Sequence, residues 1–113
     1  MNCQHKELAS GRWEKLTFLE QMANIGSEVE RALNWQKKNN TDYSQKASER
    51  ALELISLTIR NVKSYARLKE MTRMKEAIAD YFFGSNQFMS TEKSWRSYFS
   101  HFTYAAARER CFI

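Results

Sequence analysis

Proline is absent from this chain, and glycine occurs only at positions 11, 26 and 84. So few turn formers exclude a many-stranded sheet and favour a handful of long helices. Cysteine is confined to Cys3 and Cys111, at the two ends. One such pair is no disulfide framework, and the usage fits a reduced, intracellular protein. No apolar run approaches the ~20 residues that span a bilayer. The opening Met-Asn-Cys-Gln-His-Lys-Glu lacks the apolar core of a signal peptide. The expected location is therefore cytoplasmic, with no membrane partner. Also missing are a glycine-rich phosphate loop, a metal-spaced His and Cys cluster, and a serine nucleophile elbow. Cys3, His5 and Cys111 would bind a metal only if the termini met, and frayed ends often carry stray ligand-type residues. Neither metal nor cofactor is expected.

What remains is rich enough to fold. In 113 residues, 42% are hydrophobic and 13% aromatic, which supports one domain over 1–113 with a real core. The ends, 1–10 and 110–113, read as loose. The net charge is +5. A basic surface suits an acidic partner: nucleic acid, RNA rather than DNA, or an acidic protein.

Apolar spacing of three and four predicts four helices, near 12–38, 42–60, 64–83 and 92–109. The first carries Trp13, Leu16, Leu19, Met22, Gly26, Val29 and Leu33 along one stripe. Glycine costs roughly 1 kcal/mol against alanine inside a helix, so Gly26 implies that another helix passes close. Ser10, Asp42 and Ser90 are the expected N-caps, with Thr91 an alternative to Ser90 and Gln45 completing a capping box with Asp42. Gly84 is placed as a C′ residue. The second helix is apolar almost all round from Ala51 to Ile59, which predicts a central position or an interface. In the last, Trp95, Phe99, Phe102 and Ala106 form one stripe at about 100° per residue. Short connections give antiparallel neighbours, hence an all-α, up-and-down four-helix bundle.

Most of the aromatic residues fall on these buried stripes. Trp35, Phe88 and Met89 are exceptions, and they read as interface residues of a homo-oligomer or a partner-bound chain. Basic residues gather at Arg60, Lys63, Arg67, Lys69, Arg73 and Lys75, with Glu70 the one acid among them. Arg60, Lys63 and Arg67 would share a face if the helix ran on unbroken. Such a strip can track phosphates through counterion release, or simply be a solvated helix face.

Arg96 and His101 form the one pair that suggests catalysis. They flank the Trp95 stripe on opposite shoulders, roughly 140° apart on an ideal helix. An imidazole can move the proton of a 2′-hydroxyl, and a fixed guanidinium can hold a phosphate and its developing charge. Arg, four residues, then His, early in a late helix of a small bundle, resembles the HEPN superfamily. Its active members are typically dimeric, and two such motifs meet across the dimer to cut RNA without a metal. The resemblance implies His101 as acid–base group and Arg96 as phosphate clamp. It further implies a metal-independent endoribonuclease in a bacterial toxin–antitoxin or defence setting. The chain departs from the common pattern at Ser97, where many members carry Asn. A second reading is a non-catalytic basic bundle that binds nucleic acid or serves as an assembly subunit. It would be similar to retroelement accessory proteins or a small helical CRISPR subunit.

Overall fold

The fold is described from a computed structural model over residues 11–111. Four helices follow one another: α1, Phe18–Lys37; α2, Thr41–Arg60; α3, Tyr65–Phe83; and α4, Glu92–Cys111. A short 3-10 turn, Trp13–Lys15, precedes them. No strand occurs among the described residues, and the architecture is an all-α four-helix bundle. Of the expected features, the Ser10 cap and the proposed ligands Cys3 and His5 lie outside the described residues.

The first helix does not run from 12. Its stripe is interrupted at Leu16–Thr17, where the backbone is extended. Thr17 then opens α1 with a complete capping box: its hydroxyl accepts from the Glu20 amide, and the Glu20 carboxylate accepts from the Thr17 amide. The break turns Trp13 inward rather than along the helix face. Trp13 is 1% exposed, and its indole N–H donates to Thr58 Oγ1 of α2 at 2.9 Å. Gln21 Nε2 donates to the Trp13 carbonyl, also at 2.9 Å, so the turn is pinned at both its side chain and its backbone.

One further cap differs from expectation by two residues. Asn40, not Asp42, caps α2 by accepting from the Tyr43 amide, because Asn39 takes the left-handed conformation (φ 60°) and ends α1 one residue earlier. Of the two candidates for α4, Thr91 is the cap and accepts from the Ser94 amide. Ser90 is instead held in the preceding loop by both ends of the Asn86 amide. Gly84 does end α3, but in an extended conformation. A β-carbon there would lie 3.0 Å from the Asp80 carbonyl oxygen, so its missing side chain serves close approach, not a left-handed turn.

The helices are ordered α3–α2–α1–α4 across the bundle, with α1 packed on both α2 and α4. Gly26 sits where α1 and α4 cross. A β-carbon on it would stand 2.9 Å from Phe99 Cβ, as the sequence implied. The apolar girth of α2 is consumed within the chain: Ala51, Leu54, Ile55 and Leu57 are buried between α1 and α3. Self-association therefore finds no support in α2. The seam between α3 and α4 is different. These two helices meet through long side chains rather than closely packed backbone. Tyr81 lies edge-on to Trp95 at 6.3 Å, and Tyr98 Oη donates to Glu70 at 2.9 Å. Among the described residues no helix is long and apolar enough to cross a membrane.

Candidate nucleic-acid interface

Arg96 is committed inside the molecule. Its Nε and Nη2 donate to Glu92 Oε1 at 3.1 and 3.0 Å, Nη2 also to Asn34 Oδ1 at 2.8 Å, and Nη1 to Glu30 Oε1 at 3.2 Å. Lys37 reaches the same Glu92 oxygen at 3.5 Å. The side chain thus fastens the start of α4 to the end of α1. His101 is exposed further along α4 and lines none of the main surface grooves, two of which include Arg96. Within one chain the two residues do not converge.

The Arg96 network has a pH signature. The hydrogen bond from Arg96 holds the Glu92 carboxyl below its ordinary value, with further help from Lys37. A depressed carboxyl stabilises the fold above its unfolded pKa, near 4.5, and that contribution fades as pH falls through the folded value. Thermal melts should therefore lose a small increment of stability below about pH 4.5, and Glu92→Gln should flatten that part of the profile. Identical acid profiles in the two proteins would show that the network contributes nothing.

The basic residues behave otherwise. The turn at Asn61–Ser64 falls where the expected helix ends at 60 and 64 placed it, so Arg60, Lys63 and Arg67 do not share one helix face. Arg67 is exposed and also lies with its guanidinium 3.8 Å from the centre of the Phe18 ring, a cation–π contact at the edge of the core. Arg60, Lys63, Lys69, Arg73 and Lys75 are all exposed. None of the five is ion-paired to a carboxylate among the described residues. The acids Glu28, Glu30 and Glu92 are meanwhile satisfied by Arg31, Arg50, Lys37 and Arg96 on the α1, α2 and α4 side.

Residues 60–75 hold six of the eighteen Lys and Arg and one of the thirteen acids, so twelve of each remain elsewhere. The whole net charge of +5 therefore resides in this one segment. Its single acid, Glu70, accepts from Tyr98 across the seam. Burial, then that bond, push the Tyr98 phenol well above its ordinary value, so it remains a neutral donor.

Lys69 and Arg73, one turn apart on α3, line a groove of about 540 Å3 between α3 and α4 together with Phe88, Trp95 and Tyr98. Phe88 comes from the loop before α4 and is 54% exposed. Its placement is built, not accidental. The Asp80 carboxylate accepts from the Gln87 and Phe88 amides at 2.9 and 3.0 Å. Asn86 and Met89 take left-handed φ values of 57° and 55° around it. Sequence spacing showed Phe88 as an odd apolar loop residue; its meeting with Lys69 and Arg73 is a product of the tertiary fold. Trp35, also read as an interface residue, is half-buried and packs edge-on against Tyr43 with ring centres 4.8 Å apart. No protein-family model matches the chain, and neither a curated protein nor a solved structure matches it.

Proposed function

We propose that this chain is a nucleic-acid-binding helical bundle that holds phosphates on the α2–α3 turn and the outer face of α3, without cutting the strand. The observation that supports it is the segregation of charge: the entire net charge lies in residues 60–75, on exposed side chains without carboxylate partners among the described residues. Unpaired cations of this kind release the counterions condensed on a polyanion, which drives association.

A nuclease of the HEPN kind asks more of the molecule. Arg96 would have to leave Glu92, Glu30 and Asn34, and a second chain would have to bring His101 to the same phosphate. Binding alone requires neither change. The test is a salt titration with single-stranded RNA. The logarithm of affinity should fall linearly with the logarithm of salt, by about 0.7 for each phosphate neutralised, so a slope near −3 fits four or five contacts. An affinity indifferent to salt would overturn the reading. In the same assay His101→Ala should leave both binding and RNA integrity as in the parent. RNA cleavage that survives a chelator and vanishes in His101→Ala would restore the nuclease instead.

A further inference from the structure

We infer that the groove between α3 and α4 is a single-strand subsite, in which a nucleobase stacks on Phe88 while Lys69 and Arg73 hold the adjoining phosphates. This rests on the nucleic-acid reading above and narrows it to unpaired strands.

Four features carry it. First, α3 and α4 meet through long side chains and leave a groove of about 540 Å3 beside Phe88, and a duplex keeps its bases turned inward, where they could not stack on that ring. Second, its two cations stand one turn apart on a single wall, about 6 Å along the axis, and neither is ion-paired among the described residues. Third, Phe88 offers an exposed aromatic ring on a backbone that Asp80 and Asn86 fix in place, so little loop entropy is lost on binding. Cations along a backbone beside a stacking face are the general design of single-strand sites.

The fourth feature decides between a strand and an amphipathic helix as occupant. A helix needs an uncovered apolar stripe to bury. The large apolar residues of the floor, Met74 and Trp95, are already in the core at 5% and 7% exposure. The remaining α3 wall offers Ala66 and Ala77. What is left open is the Phe88 ring, the two cations and the Glu70 carboxylate, which is engaged by Tyr98; two positive charges against one negative leave an excess that fits a base and its phosphates. The indole N–H of Trp95 at the floor is buried without an acceptor among the described residues.

Two probes of equal charge separate this subsite from bulk electrostatics: an oligouridylate of about ten nucleotides and an abasic decamer of the same backbone. The parent protein should bind the oligouridylate roughly 5- to 100-fold more tightly, the range expected for stacking one base. Phe88→Ala should erase that preference while leaving abasic binding unchanged. Because Phe88 is half exposed, the variant should keep its helical circular dichroism. Lys69→Gln with Arg73→Gln should weaken both probes together. Equal affinities in the parent would sink the subsite yet leave phosphate binding standing. Failure to bind either probe would remove the nucleic-acid reading itself. If Phe88→Ala weakened a Glu- and Leu-rich helical peptide but not the oligouridylate, the groove would belong to a protein partner and the inference would fall.

Discussion

A variant with Glu at Arg60, Lys63, Lys69 and Arg73 should lose nucleic-acid binding at near-physiological salt, by roughly a hundredfold or more. The size follows from the charge ledger. The parent segment contributes the whole +5, and four reversals carry the chain to an overall negative charge. Each reversal removes one counterion-releasing contact and adds a repulsion, so the salt slope should also collapse toward zero. All four side chains are exposed, so helix content and melting temperature should stay close to the parent's. Arg67 is left in place because its guanidinium covers Phe18 and its removal would mix a packing loss into the result. Undiminished RNA binding in this variant would mean that the phosphates are held elsewhere.

The largest effect on stability should come from Trp13→Ala, at about 3–5 kcal/mol. Trp13 is 1% exposed, and it is the residue through which the segment before α1 is docked on α2. Truncation leaves a cavity the size of an indole, which the surrounding Met, Leu and Ile side chains can fill only partly. It also removes the donor to Thr58, although that hydroxyl keeps its own bond to the Leu54 carbonyl at 3.0 Å. Trp13→Phe should recover most of the loss, because the ring volume is then nearly restored. Denaturant melts measure both. A loss under 1 kcal/mol in Trp13→Ala would mean that the 3-10 turn is an ornament on a bundle that begins at Phe18.

How far the chain could be read without coordinates depends on the range of the interactions involved. The four helices were legible because three- and four-residue apolar spacing is a local signal, and Gly26 announced its own crossing partner. The break before α1 was overlooked although Thr17-Phe-Leu-Glu20 spells out a capping box, because the stripe from Trp13 to Met22 runs through it without a gap. At α2 two neighbouring residues, Asn40 and Asp42, both suit a cap. The choice fell to Asn39, whose left-handed backbone no composition rule had weighed. The helical pitch already separated Arg96 from His101, but not the three acceptors that occupy Arg96, two of which lie 62 and 66 residues away. The groove was the least legible part. Lys69, Phe88 and Tyr98 share no periodicity and meet only after α3 and α4 have been laid side by side.

That α1 is gripped by its sequence neighbour on one side and by the distant α4 on the other has a bearing on the order in which the chain assembles. α1 and α2 can zip together as a local hairpin soon after both exist, since a short turn separates them. The other flank of α1, with Gly26 open for Phe99, must wait for α4, and the Arg96 bonds close loops of more than sixty residues. On a ribosome that makes the N-terminus first, α1 therefore spends the synthesis of α3 and the following loop with an uncovered apolar side. That interval is when the nascent chain is most open to misassociation, and it ends when the last twenty helical residues arrive.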